Sequence, residues 1–260
     1  MSISLSLEGR VALITGGSRG IGAAAVRMFA DAGARVVFNY RKAKDKADQL
    51  VLELGDTRCA AFASDLSTPE AAQKLVASTV NHFGRIDILV ANHGVWPPED
   101  VAIDRMTDSQ WRNTIDINLN SVYGLVKHSV AHMKRQQPAG TTAGHIVLVS
   151  STSAQRGEAF HCDYSATKGA LISIVKSLSS ELARDRIYVN CVAPGWVRTD
   201  MSEPALNDPP TREAILATIP MRRVATAEEI AAPILFLCTE HAGFITGEVF
   251  NVNGGAVLVG

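Results

Sequence analysis

Seven short runs rich in β-branched and other apolar residues recur along the chain, and most are followed by a longer stretch with helical spacing. They are VALIT from Val11, RVVFNY from Arg35, CAAFAS from Cys59, IDILVAN from Ile86, HIVLVSS from His145, IYVNCVA from Ile187 and EVFNVN from Glu248. Several are apolar throughout rather than alternating, the pattern of strands covered on both faces. The alternation predicts an α/β fold: a doubly wound Rossmann-type domain with a mostly parallel seven-stranded sheet and helices on both faces. One long helix is expected at 107–136. Another, over 163–184, carries Leu171, Ile172, Val175, Leu178 and Leu182 as one apolar stripe. No linker or internal repeat divides the chain, so residues 1–260 read as one domain. The segment richest in breakers, with Pro194, Gly195, Pro204, Pro209 and Pro210, predicts a mobile lid at about 194–212, at the carboxyl edge where such sheets bind ligands.

Composition narrows the partners. At 260 residues, 47% hydrophobic and a net charge of −1, the chain has apolar content for a large core and no electrostatic reason to bind nucleic acid or anionic lipid. A small-molecule partner is expected. The start MSISLSLEGR lacks the features of a signal peptide, and no apolar run reaches the roughly 18 residues of a membrane span. Cys59, Cys162, Cys191 and Cys238 lie far apart without metal-ligand spacing, so no metal site is expected and a cytoplasmic setting fits.

The first run leads directly into GGSRGIG, placing Gly16, Gly17, Ser18, Arg19, Gly20, Ile21 and Gly22 where the first strand must turn into the first helix. Glycines let backbone approach a pyrophosphate, and helix N-terminal amides attract its charge. A tight turn alone would use the same glycines. The loop lacks the Lys-Ser/Thr pair of a nucleotide-triphosphate site. At the end of the second strand, where an NAD site usually carries a carboxylate, stand Asn39, Tyr40 and Arg41. With Arg19, Arg41 would chelate a 2′-phosphate, so NADP(H) is favoured over NAD; taken singly, each arginine reads as solvated surface charge.

Extended towards its start, the apolar stripe of the later helix meets Lys168 and Tyr164, four residues apart. A buried lysine needs a partner, and its charge beside a phenol would lower the phenol's pKa towards the working pH. A tyrosine filling the core and a lysine reaching solvent would show the same spacing. Ser151 closes the fifth run at its carboxyl end, with Ser150 as its rival on the opposite strand face. Asn118 lies on a helical apolar face, where its amide must be satisfied.

TGGSRGIG, Asp65-Leu66, Asn92-x-Gly94, Asn118, Ser151, Tyr164-x-x-x-Lys168 and Pro194-Gly195 occur together in one order across nearly the whole chain. In this the chain resembles the short-chain dehydrogenase/reductases, in their short one-domain branch, and most nearly the 3-oxoacyl-carrier-protein reductases. The resemblance implies that Tyr164 is the general acid/base, that Lys168 binds the nicotinamide ribose and tunes it, that Ser151 holds the substrate oxygen and that Asn118 anchors a relay water. It also implies cofactor contacts at Asp65, Leu66, Asn92, Gly94, Pro194, Gly195, Val197 and Thr199, and a homotetramer. The apolar VLVG at the C-terminus fits assembly, or folding back on the core. Two departures stand out: His93 where the family usually has Ala, and Asn253 where it usually has Asp. His93 is assigned no catalytic role, and Asn253 is expected to weaken a turn or interface. Trp96, Phe160, His161, Trp196 and Met201 are expected to flank an aromatic pocket. The activity implied is hydride transfer between NADP(H) and a carbonyl, probed first with a 3-oxoacyl thioester. An NAD-dependent alcohol, sugar or steroid dehydrogenase and a non-catalytic NADP(H) sensor are the alternatives.

Overall fold

The computed structural model describes residues 4–259, so Met1, Ser2 and Ile3 of the expected leaderless start and Gly260 of the VLVG tail lie outside the described residues. The strands are β1 (Val11–Ile14), β2 (Arg35–Tyr40), β3 (Cys59–Ala63), β4 (Ile88–Ala91), β5 (Gly144–Val149), β6 (Ile187–Pro194) and β7 (Val249–Val252). The helices are α1 (Gly20–Asp31), α2 (Lys44–Leu54), α3 (Pro69–Phe83), α4 (Asp108–Ile115), α5 (Ser121–Met133), α6 (Ser153–Arg156), α7 (Cys162–Leu182), α8 (Glu203–Asn207), α9 (Pro209–Ala217) and α10 (Ala227–Leu237). Each of the seven apolar runs contains a strand. Every pairing is parallel, in the order β3-β2-β1-β4-β5-β6-β7, so the sheet is wholly rather than mostly parallel.

The central strands are buried on both faces, as their unbroken apolar runs require. Phe29, Ile14, Phe38 and Ile234 belong to the layer under α1, α2 and α10. Leu75, Leu125, Leu171 and Val175 belong to the opposite layer under α3, α5 and α7. A small satellite core of Leu206, Ile215, Ile219 and Val224 lies within the α8–α9 region.

The helix expected at 107–136 is interrupted: a π-type turn at Asp116–Asn120 joins α4 to α5, with buried Asn118 in its middle. Such turns break the regular ladder and re-aim nearby groups. At the C-terminus Leu258 is 89% exposed, so this residue of the tail does not fold back on the core.

Candidate active site

The strand order reverses between β1 and β4, and the cleft lies at the carboxyl ends of the strands around that switch point. Gly16, Ser18, Arg19, Gly20 and Ile21 line it from the first turn, Asn39 and Tyr40 from β2, Arg41 from just after β2, and Asp65 and Leu66 from beyond β3. Asn92 and Gly94 follow β4, while Pro194, Gly195, Val197 and Thr199 follow β6. Ser151, Tyr164 and Lys168 line the same cleft.

Not every expected cofactor residue is free to touch a ligand. Gly17 and Gly22 shape the turn and are absent from the cleft wall: a Cβ on Gly17 would lie 2.4 Å from Phe38 Cβ, and one on Gly22 would lie 2.2 Å from the Gly16 carbonyl oxygen. Asn39 lines the cleft as expected, but its amide is already engaged. Its Oδ1 accepts the Gly16 N–H at 2.8 Å and its Nδ2 donates to the Ser64 carbonyl at 3.1 Å, so the buried amide staples the turn. Asn92 is partly committed as well, its Nδ2 donating to the Thr15 carbonyl at 3.0 Å.

The start of α1 fits an anion. Helices α3, α4, α9 and α10 each begin with a side chain that accepts a first-turn amide, but α1 begins at Arg19 with no such cap and no acidic residue in its first turn. Its first amides thus lack a side-chain acceptor beside a cleft lined by Arg19 and Arg41, which suits the phosphates of a dinucleotide. Arg41 forms no ion pair among the described residues. Arg19 meets Asp200 at 3.4 Å, and Lys46 meets the same carboxylate at 3.0 Å, so the segment after β6 is tied to the glycine turn and to α2.

Helix α7 positions Tyr164 and Lys168. Asp163 in its first turn is buried and accepts Thr114 Oγ1 at 2.8 Å and Gln110 Nε2 at 3.2 Å, pinning α7 to α4 just before the tyrosine. Lys168 is buried and donates from Nζ to the Val149 carbonyl at 2.8 Å; Nζ lies 5.7 Å from the Tyr164 ring centroid. Burial pushes the lysine down to about 8. The phenol moves opposite to the expected direction: burial drives it up to about 12, against a lowering hydrogen bond from Ser151. Desolvation of a phenolate outweighs that hydrogen bond, and the Glu158 carboxylate raises the phenol further. Ser150 also lines the cleft, but its hydroxyl donates to the Lys168 carbonyl at 2.8 Å and fastens β5 to α7, which leaves Ser151 as the hydroxyl able to donate to a ligand.

Asn118 is a staple. Its Oδ1 accepts the Val95 N–H at 2.8 Å, while Nδ2 donates to the Val95 carbonyl at 2.8 Å and to Thr167 Oγ1 at 3.3 Å. The side chain therefore holds the loop after β4 and is absent from the cleft wall, which lends no support to a water-anchoring role for its amide. His93 bridges the same region, with Nδ1 2.8 Å from Thr15 Oγ1 and Nε2 donating to the Ile117 carbonyl at 3.1 Å. Burial, reinforced by Lys168, pushes His93 down to about 4, so it is neutral at pH 7.

Asn253 strengthens its turn rather than weakening it, accepting the Gly255 N–H and donating to the Val257 carbonyl, both at 2.9 Å. Trp96, Trp196 and Met201 line the cleft as expected; Phe160 and His161 do not, His161 lying behind Trp96. Sequence reasoning missed Glu158 and Arg156 on the cleft wall; Arg156 ends the short α6 and Glu158 follows it, in a stretch that the apolar pattern leaves unassigned.

Among the described residues no three His, Cys, Asp or Glu side chains group as metal ligands, and no helix is long and apolar enough to cross a membrane.

The family model described as enoyl-(acyl carrier protein) reductase matches residues 16–257. The 3-oxoacyl-[acyl-carrier-protein] reductase FabG of Vibrio cholerae is 35% identical over 255 residues, covering 98% of this chain and 100% of the relative. The crystal structure of 3-ketoacyl-(acyl-carrier-protein) reductase from Brucella melitensis complexed with NADH is similar at a TM-score of 0.89 and 32% identity, covering 97% of this chain and 100% of that one. A blue fluorescent protein from a metagenomic library, in complex with NADPH, is similar at a TM-score of 0.88 and 30% identity over the same shares.

Proposed function

Because the chain belongs to the short-chain dehydrogenase/reductase family, we propose that it is an NADP(H)-dependent ketoreductase acting on a 3-oxoacyl thioester or a related ketone. The observation that carries this reading is the meeting of Ser151, Tyr164 and Lys168 in one cleft with the uncapped start of α1. A nicotinamide dinucleotide held by the glycine turn, Tyr40, Arg41, Asp65, Asn92 and the 194–199 segment would supply the hydride.

The chain's own residues supply the proton and the geometry. Tyr164, kept protonated by burial, gives its phenolic proton to the carbonyl oxygen as that oxygen gains charge. Ser151 donates to the same oxygen from the carboxyl end of β5, and its hydroxyl is oriented by accepting the Ser153 N–H at 3.1 Å. Lys168, anchored on the Val149 carbonyl, brings positive charge under the phenol and faces the ribose side of the site. The phenol is protonated at neutral pH, the state that reduction needs.

Arg19 and Arg41 support NADP(H) over NAD, since no carboxylate stands at the end of β2 to hold ribose hydroxyls and repel a phosphate. Residues 194–212 act as the lid, tied down through Asp200. We read the assembly as a homotetramer, a reading supported by exposed Phe244, Phe250 and Leu258 near the chain end and by exposed Trp111 and Tyr123 on α4 and α5. A cytoplasmic setting belongs to the same reading, supported by four free cysteines.

The test is the rate of NADPH oxidation with a short 3-oxoacyl thioester, beside NADH and a Tyr164→Phe variant. Turnover with NADPH that is lost in the variant is expected. A clear NADH preference would overturn the arginine argument, and tight NADPH binding without turnover of any carbonyl would favour a sensor.

A further inference from the structure

A carboxylate on the cleft wall, that of Glu158, has no part in the reaction above. Glu158 stands between α6 and α7 and lines the cleft with Tyr164. Its Oε1 accepts the indole N–H of Trp96 at 3.3 Å. Trp96 is itself held: it stacks on His161 with centroids 4.8 Å apart and planes 12° apart. The buried His161 ring in turn donates from Nε2 to the Pro97 carbonyl at 2.8 Å. Trp196 meets Trp96 edge-on, with centroids 6.3 Å apart.

Among the described residues Glu158 has no ion pair, and its second oxygen has no hydrogen-bond donor. Arg156 and His161 draw its pKa down and Asp100 pushes it up, yet burial dominates and raises it. A part-buried carboxylate usually gathers several donors or a cation. This one has a single indole N–H, on a ring locked by the stack behind it. The turn that presents it is also strained, with Phe160 at φ +67, a left-handed conformation rare for a bulky residue. Strain of this kind persists only where the surroundings enforce it.

We propose that Glu158 is a substrate-binding residue, whose free carboxylate oxygen accepts a hydrogen bond from an O–H or N–H on the ketone substrate. This rests on the ketoreductase reading and narrows its substrate class. The preferred ketone carries a hydroxyl or ammonium donor on a short or alicyclic skeleton that fits the cleft beside Trp96 and Trp196, and a substrate with a free carboxylate at that place is repelled. An ammonium gains further from the indole faces, and a hydroxyl uses the acceptor alone.

The experiment compares 4-hydroxycyclohexanone, 4-(dimethylamino)cyclohexanone and 4-methylcyclohexanone with NADPH, using the wild-type chain, Glu158→Gln and Trp96→Phe. In the wild type, kcat/KM for both donor-bearing ketones should exceed that for the methyl ketone by about tenfold or more. Glu158→Gln should erase the advantage of the ammonium ketone, leave part of that of the hydroxy ketone and change the methyl ketone by less than about twofold. Trp96→Phe, which keeps an aromatic ring but frees the carboxylate, should cut both advantages several-fold and serves if the first variant does not fold. Turnover of all three ketones with no donor preference, unchanged in the variants, would remove Glu158 from substrate binding and leave the ketoreductase reading intact. Absence of wild-type turnover of these ketones and of the 3-oxoacyl thioester alike would sink both.

Discussion

Asn118 grips both polar groups of the Val95 backbone, accepting from its N–H and donating to its carbonyl at 2.8 Å each. Gly94 fits beside this clamp because it has no side chain: an added Cβ would lie 3.2 Å from Asn118 Oδ1 and 3.4 Å from Lys168 Nζ. The loop after β4 is thereby seated against the helix that carries Tyr164. Asn118→Ala would leave the Val95 groups without these partners, and a loss of about 2–4 kcal/mol in denaturant unfolding is expected. The kcat should fall more than KM for NADPH rises, because the loop, not the glycine turn, is displaced. A variant with wild-type stability and kcat would show that the clamp is dispensable.

The glycine turn makes a paired prediction with opposite signs. An added Cβ on Gly17 would lie 2.4 Å from the Phe38 Cβ, whereas one on Gly169, inside α7, meets nothing nearer than the Ala154 carbonyl at 3.8 Å. Gly17→Ala should destabilise by about 1–3 kcal/mol and weaken dinucleotide binding. Gly169→Ala should stabilise by about 0.5–1 kcal/mol, since a helical glycine gives up more chain entropy. Thermal melting of the two variants checks both signs.

Cofactor choice is expected to turn on Arg41, which has no ion-pair partner among the described residues. Arg41→Asp should lower the NADPH-to-NADH ratio of kcat/KM by roughly 30-fold or more, replacing an anion-binding group with one that repels the 2′-phosphate. Asp200→Asn releases Arg19 and Lys46 from a shared, exposed carboxylate, and it should lower KM for NADPH by no more than about threefold. A preference unmoved by Arg41→Asp would place the selectivity elsewhere.

Acid should destabilise the fold over a defined window. Burial holds His93 and His145 down to about 4. The unfolded chain takes up their protons near pH 6.5 while the folded chain does not, so stability is full above pH 6.5 and is lost as pH falls towards 4. Each histidine contributes up to about 3 kcal/mol to that loss. Urea unfolding of the wild type and of a His93→Ala variant at pH 5 and pH 7.5 measures it, and the variant should show the shallower pH dependence.

The strands, the α/β class and the order of the chemical residues were legible in the sequence because they depend on local pattern. A short, β-branched, unbroken apolar run such as HIVLVSS fits a strand covered on both sides, and a four-residue spacing puts Tyr164 and Lys168 on one helix face wherever that helix lies. What each polar atom does was decided by the tertiary structure. That the Asn39 and Asn118 amides satisfy backbone groups of a distant segment, Gly16 and Val95 respectively, could not be read from their local pattern. Lys168 was legible as a neighbour of Tyr164, but whether its charge or the loss of solvent governs the phenol depends on how deeply α7 is covered. Glu158 stood in a turn with no periodicity, and only the stacking of Trp96 on His161 gave it a fixed place. Local pattern sets which way the backbone runs, whereas hydrogen bonding and desolvation depend on segments brought together from far apart in the chain.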